Sequence, residues 1–317
     1  MLTTANKIVH GMWVGSTLSS LELLTLRSFT AHGHVFRLWT YARPDVVLPA
    51  GAELMDAAQI IPSEQVFSYR KGNQFGHGKG SFAGFSDLFR YKLLFEVGGW
   101  WADMDMTCLH PLAFEAPYVF RPHDVLPVVG NLMKCPRGSS LMHDCYEEAV
   151  KAVDEHNTDW LKPITILNDN IEKHHLTSYI VPRLSNADRW EVVDFYRSYP
   201  AVIPEKYFVF HWMNEEWRSR GLDKNTCFEG AALDQLMEKH QIPVRHLPPN
   251  NYLQFALQWM LFFLVPMVPR PIRLVAKTAY IGCKKGLFIA KRQLLALIPQ
   301  KWKLSARKHL PGKPANS

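Results

Sequence analysis

The stretch that decides the fold is GSFAGFSDLFRYKLLFEVGGWWADMDMTCLHPL, residues 80–112 of the 317-residue chain. Apolar side chains recur at helical spacing over residues 81–97 and predict an α-helix there. Gly98 and Gly99 end that helix, because glycine tolerates the backbone angles of a tight turn. Residues 100–106 then predict a strand that runs into a loop. So short a turn brings the helix and the strand close to each other.

The residues before this stretch predict parallel strands. Residues 7–14 and 35–41 are rich in β-branched and aromatic side chains and predict two strands, with a helix over residues 18–28 between them. A strand, a helix and a strand at this spacing form a βαβ unit, which indicates an α/β fold. Further strands are predicted at residues 118–121, 125–132, 180–182 and 207–210, and further helices at residues 140–154, 164–174 and 229–240.

Two carboxylates, Asp103 and Asp105, follow the predicted strand. In an extended segment residues i and i+2 point the same way, so both side chains can reach one ion. Hard oxygen ligands of this kind suit Mg²⁺ or Mn²⁺ held jointly with substrate phosphates. An Asp-x-Asp tripeptide alone is common in solvated loops, but this one lies at the carboxyl end of a strand, where open α/β sheets bind ligands.

The order of motifs resembles that of a known enzyme family. Ser86-Asp87-x-x-Arg90-Tyr91-x-x-Leu94, followed by Gly98-Gly99-x-x-x-Asp103-x-Asp105, is similar to the signature of the DXD-containing glycosyltransferases. These include yeast initiation-type mannosyltransferases, α-1,4-galactosyl- and N-acetylglucosaminyltransferases and bacterial capsular polysaccharide transferases. The opening Lys7-Ile8-Val9-His10-x-x-Trp13-x-Gly15 resembles the first strand of that family. The resemblance covers roughly residues 5–112 well and the remaining body loosely.

The resemblance implies a GT-A fold, with a Rossmann-like mixed sheet flanked by helices. It also implies Mn²⁺ or Mg²⁺, a nucleotide-sugar donor, more in keeping with a UDP-sugar than a GDP-sugar, and retention at the anomeric carbon. The implied roles are Asp103 and Asp105 as metal and nucleotide ligands, Asp87 on the sugar hydroxyls, Arg90 bracing the site or meeting the donor, Val9, His10 and Trp13 at the nucleobase, and His211 at the metal.

Two of these roles have plainer alternatives. Asp87 and Arg90 are three residues apart on a helix, where a surface ion pair is common. His211 follows an apolar run and precedes Trp217, as in the family's C-terminal His…Trp element. A single histidine, however, is more often not a metal ligand.

Charge divides the chain into two parts. Residues 1–238 carry 22 Lys and Arg against 29 Asp and Glu, whereas residues 239–317 carry 14 Lys and Arg and no acid. We therefore predict a catalytic domain at residues 1–240 and a basic tail at residues 241–317. The five cysteines include no CxxC pair, so a disulfide scaffold or zinc ribbon is not expected.

The tail has the composition of a membrane-surface segment. Residues 252–268 are apolar apart from two glutamines, and residues 272–298 place Lys and Arg along one stripe of a predicted amphipathic helix. We expect residues 250–317 to lie on an anionic membrane surface. Packing of residues 252–268 onto the catalytic domain is the alternative, and a spanning helix is disfavoured because the run is short and contains Pro266.

The sequence thus predicts a metal-dependent glycosyltransferase that acts on a polysaccharide or lipid-linked glycan. The start of the chain lacks the pattern of a signal peptide, so we expect the protein in the cytoplasm, peripheral on the inner face of the cell membrane. One alternative is a non-catalytic membrane scaffold with the same fold. Another is a nucleic-acid-binding protein, but the basic residues lie in an apolar tail and not in a polar arm, so nucleic acid is not expected as a partner.

Overall fold

The computed structural model describes residues 2–250, so the predicted membrane-associating tail, residues 241–317, lies outside the described residues from residue 251 onward. A six-stranded sheet forms the centre of the body, with strand order β3-β2-β1-β4-β7-β6. Its strands are β1 (Ile8–Trp13), β2 (Val35–Thr40), β3 (Ala52–Asp56), β4 (Gly99–Ala102), β6 (Val119–Pro122) and β7 (Val128–Cys135). Two small sheets pair β5 (Met106–Cys108) with β8 (Val209–His211), and β9 (Thr226–Phe228) with β10 (Arg245–Leu247).

Helices flank the central sheet. They are α1 (Thr4–Lys7), α2 (Ser20–Ala31), α3 (Ala83–Glu96), α4 (Ser140–Ala152), α5 (Lys162–Lys173), α6 (Trp190–Ser198), α7 (Asn214–Ser219) and α8 (Ala232–Lys239). The helix α2 begins with a capping box, in which Ser19 and Glu22 satisfy each other's backbone donors. The turn between α3 and β4 has positive φ at both Gly98 and Gly99, as the sequence predicts.

The sheet is mixed. The strand β1 lies between β2 and β4 and is parallel to both, whereas β4 pairs with β7 and β7 with β6 in the antiparallel sense. Adjacent side chains of β4 face opposite sides: Trp100 packs in the core that contains Phe29 of α2, and Trp101 in the core that contains Phe89 of α3. The prediction of an α/β fold with a mixed sheet flanked by helices is confirmed.

Several short elements differ from the prediction. Residues 180–182 form only an isolated bridge from Ile180 to Phe120, not a strand, and Pro182 has no backbone N–H to continue the pairing. The edge strand β3 and the elements α6, α7, β9 and β10 were not predicted. All five elements are short, and β3 is also largely exposed. None of them therefore carries a long apolar pattern.

The folded body continues past residue 240. The strand β10 pairs with β9, and Asn250 Nδ2 donates a hydrogen bond of 3.0 Å to the backbone oxygen of Ser198. Within residues 2–250, no helix is both long enough and apolar enough to cross a bilayer. The four cysteines in this part of the chain are free and buried.

Candidate active site

The edge of the sheet where β1 and β4 both end carries the predicted site. Because the two strands are parallel neighbours, with Val9 opposite Trp100 and His10 opposite Trp101, their carboxyl ends meet at that edge. Asp103 follows β4 directly, and Trp13 is the last residue of β1. Asp103 and Trp13, which come from two distant segments of the sequence, therefore lie at the same edge of the sheet.

The backbone between the two aspartates is a turn. The strand ends at Ala102, Met106 N donates to Asp103 O at 3.2 Å, and Asp103 N donates to the backbone oxygen of Asn131 at 2.9 Å. The predicted strand thus runs into a loop after Ala102, and the assumption that Asp103 and Asp105 lie in extended backbone is wrong. The chain reverses because the next strand, β5, leaves the central sheet to pair with β8.

Arg90 connects the helix α3 with the turn. Its Nη1 lies 2.8 Å from Asp87 Oδ1, and its Nη2 lies 2.9 Å from Asp103 Oδ1, which also accepts a hydrogen bond of 2.6 Å from Trp101 Nε1. Only 4% of the Arg90 side chain is exposed. The alternative of a pair on the helix surface does not hold, because the pair is buried and shared with the DXD turn.

The strand β7 closes over this arginine. A Cβ atom on Gly130 would lie 2.4 Å from Arg90 Nη1, so the guanidinium occupies the space that any other residue would fill. Burial raises the pKa of Asp87 to about 6, although Arg90 opposes the shift. Burial likewise raises the pKa of Asp103 despite the same guanidinium.

A second chain of ion pairs holds Asp105. His211 Nε2 lies 3.3 Å from Asp105 Oδ2, and His211 Nδ1 lies 2.6 Å from Asp188 Oδ1. Asp188 in turn accepts two hydrogen bonds, of 2.7 and 2.8 Å, from the guanidinium of Arg121. Asn214 N donates to Asp105 Oδ2 at 2.6 Å. The side chain of Asp105 is thus held directly by His211 and Asn214, and through His211 it is connected to Asp188 and Arg121.

These contacts set the protonation of the site. Burial disfavours a charged imidazole, but Asp105 and Asp188 outweigh that effect and raise the pKa of His211 to about 9. Burial would also raise the pKa of Asp105, but His211 holds it below its usual value. The arrangement therefore favours the protonated imidazole of His211, which must release a proton before it can act as the predicted metal ligand.

One atom in the turn fits a cation. Asp105 Oδ1 is buried and has no hydrogen-bond partner within residues 2–250. A buried carboxylate oxygen without a partner is costly, and a divalent ion is the natural group to satisfy it. In the same part of the chain no three His, Cys, Asp or Glu side chains are grouped to hold a metal, so the metal role of Asp103, Asp105 and His211 stays a prediction.

The first strand contributes to the site through its end. The side chains of Val9 and His10 have no exposed surface: Val9 packs in the core that contains Phe29, and His10 Nδ1 accepts a hydrogen bond of 3.1 Å from Trp39 Nε1. Trp13 is only partly buried and lies at the edge. Of the three residues predicted at the nucleobase, only Trp13 has exposed surface, and its contact with a base stays a prediction.

Sequence reasoning missed Arg121 and Asp188. Both belong to the ion-pair chain behind Asp105, together with Asn186, whose Oδ1 accepts from His211 N at 2.7 Å. Asp188 lies in a loop between predicted elements, where no periodicity draws attention to it. The spacing of Asn186 and Asp188, two polar residues at i and i+2, is the only local signal. On the strand pair after the DXD turn, Asp124 pairs with Arg189 at 3.2 Å.

Residues 53–125 match the family described as the glycosyltransferase sugar-binding region containing the DXD motif. The match includes Asp87, Arg90, Asp103 and Asp105, and it confirms the resemblance to this family and the prediction of a glycosyltransferase. No curated protein matches the chain by sequence.

Two solved structures are similar to part of the chain. The PaToxG glycosyltransferase is 12% identical over 53% of this chain and 68% of its own, with a TM-score of 0.40. A transferase solved as a mutant with two Cys-to-Ser substitutions is 9% identical over 56% of this chain and 87% of its own, with a TM-score of 0.36.

Proposed function

We propose, from the membership of residues 53–125 in the DXD-containing glycosyltransferase family, that this protein transfers a sugar from a nucleotide-sugar donor with the help of Mn²⁺ or Mg²⁺. The observation that carries the proposal is Asp105 Oδ1, a buried carboxylate oxygen without a partner at the edge where β1 and β4 end. Asp103 and Asp105 would hold the ion. A UDP-sugar donor, retention at the anomeric carbon and a polysaccharide or lipid-linked glycan acceptor belong to the same proposal, on the strength of the sequence resemblance.

The chemistry needs negative charge to be stabilised at a departing nucleoside diphosphate. A bound divalent cation supplies that stabilisation, which counts most where the charge develops in the transition state. The protein's own contribution is to fix the carboxylates before the donor arrives. Arg90 and Trp101 hold Asp103 Oδ1, and His211 and Asn214 hold Asp105 Oδ2. Fixed groups lose little freedom on binding and keep their positions as the charge moves.

Asp87 is proposed to contact hydroxyl groups of the donor sugar. Its side chain keeps 13% of its surface exposed beside Arg90, and the burial of the remainder, which raises its pKa, also strengthens any hydrogen bond that it accepts or donates. This residue shares one guanidinium with Asp103, so sugar and diphosphate contacts would be coupled through Arg90.

The site of action is proposed to be the cytoplasmic face of an anionic membrane. Residues 239–317 carry 14 Lys and Arg and no acid, whereas acids exceed Lys and Arg in residues 1–238. Each Lys or Arg near such a surface adds about 1 kcal/mol of attraction. The acceptor would then be a glycan held at that membrane.

The decisive experiment is a panel of nucleotide sugars with Mn²⁺, scored for donor hydrolysis without acceptor. We expect hydrolysis of one donor by the wild type, and loss of it with chelator and in Asp103→Ala and Asp105→Ala. Asp169→Ala is the matched control, because this aspartate is exposed on α5 and should retain full activity. Full hydrolysis in the presence of chelator would contradict the metal role.

The same panel separates the enzyme from a non-catalytic scaffold with this fold. A scaffold would bind a nucleotide or a glycan and leave every donor intact. No observation within residues 2–250 favours the scaffold over the enzyme, because the DXD carboxylates and their supporting ion pairs are all present.

A further inference from the structure

The side chain of Lys224 lies between the end of β1 and the DXD turn. Its Nζ is 4.9 Å from the centre of the Trp13 ring. It also donates a hydrogen bond of 3.0 Å to Asn214 Oδ1, and the backbone N of Asn214 donates to Asp105 Oδ2 at 2.6 Å. One ammonium group therefore connects the proposed nucleobase contact with the proposed metal ligand.

A buried acid fixes this lysine in place. Glu22 has no exposed side-chain surface, and its Oε1 accepts a hydrogen bond from Lys224 Nζ. Its other oxygen, Oε2, accepts from Ser19 N at 2.7 Å within the capping box of α2. Because the helix end fixes Glu22, the position of the ammonium is fixed as well, which is the preorganisation that a binding site needs.

Lys224 is also the accessible cation of the site. The side chains of Arg90 and Arg121 are 4% and 1% exposed, and both are occupied by carboxylates. The side chain of Lys224 keeps 20% of its surface exposed. An ammonium has three N–H donors, and the contacts with Glu22 and Asn214 use two of them within residues 2–250.

We propose that Lys224 binds the diphosphate of the nucleotide donor, an inference that rests on the proposed function. A nucleotide whose base contacts Trp13 and whose phosphates reach Asp105 has its diphosphate between the two, where Lys224 stands. The other cations near the turn, Arg90, Arg121 and His211, are each held by carboxylates. Lys224 is more exposed than any of them, so a phosphate at this edge is drawn to its ammonium, which sets the direction in which the nucleotide lies.

The test compares binding of UDP and of uridine in the presence of Mn²⁺, by calorimetry for UDP and by competition with UDP for uridine. If the donor panel selects a guanosine nucleotide, GDP and guanosine take their place. Lys224→Met would leave Glu22 buried without its partner, so the main variant is Glu22→Gln with Lys224→Met, compared with Glu22→Gln alone. Lys151→Met is the matched control, because this lysine is exposed on α4 and pairs with Glu147 on the same helix.

We expect the double variant to bind UDP about 10- to 100-fold more weakly than Glu22→Gln, the effect of one charge-assisted contact. Uridine affinity should stay within about twofold, since the nucleoside carries no phosphate for the cation to bind. Lys224→Arg should keep most of the UDP affinity. If Lys224 had only a structural role, its loss would weaken the binding of UDP and of uridine equally. An equal loss of affinity for both, or no loss for either, would overturn the inference. Failure of the wild type to bind any nucleoside diphosphate would overturn the proposed function itself.

Discussion

Replacement of Arg90 by lysine tests how the site is held together. The guanidinium contacts Asp87 at 2.8 Å with one nitrogen and Asp103 at 2.9 Å with another. A lysine ammonium carries the same charge, but concentrated on one nitrogen atom. It therefore cannot contact both carboxylates as the two nitrogens of the guanidinium do. One of the two carboxylates, Asp87 or the partly exposed Asp103, therefore loses its cationic partner in Arg90→Lys.

The size of the effect follows from that loss. A hydrogen bond to a charged group contributes about 1.5–3 kcal/mol, so the free energy of unfolding should fall by about that amount. For a domain of this size the melting temperature should drop by roughly 4–10 °C. Donor turnover should fall as well. A lysine that keeps Asp87 leaves Asp103 Oδ1 with one of its two donors, and a lysine that keeps Asp103 leaves Asp87 without its partner.

The assay is thermal and urea unfolding followed by circular dichroism, together with donor hydrolysis on the same samples. The control is Arg70→Lys, because Arg70 pairs with Glu155 at a similar 2.8 Å but is 63% exposed. An exposed pair contributes about 0–1 kcal/mol, so this control should change stability little and activity not at all. Equal stability losses in the two variants, or full turnover in Arg90→Lys, would refute the reasoning.

Three further predictions concern other parts of the chain. Asp87→Asn should lower turnover more than it lowers nucleotide affinity, since the side chain is proposed to act on the sugar; an unchanged turnover number would limit Asp87 to its ion pair. Burial lowers the pKa of His10 from 6.5 to about 3. The contribution of neutral His10 to the free energy of unfolding is therefore fully present above pH 6.5 and is lost as the pH falls toward 3. The stability of His10→Gln should therefore depend less on pH between 6 and 4, by about 1.4 kcal/mol per pH unit in urea unfolding, and parallel curves for variant and wild type would contradict this. Removal of residues 251–317, which spares the contact of Asn250 with Ser198, should abolish binding to anionic liposomes in sedimentation assays and preserve donor hydrolysis; equal binding of the full chain to neutral and anionic vesicles would exclude an electrostatic anchor.

The parts of the fold that the sequence predicts are those set by local pattern. The apolar spacing over residues 81–97 gives α3, and Gly98-Gly99 gives the turn into β4, because glycine can adopt the positive φ found at both positions. The βαβ unit of β1, α2 and β2 likewise follows from alternation, helical spacing and short connections. The edge of the sheet that carries the site is then fixed, because parallel neighbours end on the same side.

The ion pairs behind the site depend on contacts between distant segments. His211 meets Asp105 and Asp188 only because β8 pairs with β5 and the loop after residue 183 returns beside it. Nothing in the spacing of these residues along the chain predicts that meeting. The assumption that Asp103 and Asp105 lie in an extended segment failed for the same reason, since a partner strand about 100 residues later draws the chain out of the central sheet.

The position of Arg90 in the site depends on Gly130, a residue that has no functional side chain. A glycine inside a strand weakens it and offers nothing to pack, so from the sequence it indicates only a bulge or a close approach. In the structure the close approach is that of the Arg90 guanidinium, which would lie 2.4 Å from a Cβ at this position. The arginine can reach Asp87 and Asp103 together because β7 leaves this space. The geometry of the DXD carboxylates therefore depends partly on a residue that lies 40 positions after Arg90 and outside the motif. A DXD sequence alone does not specify that geometry.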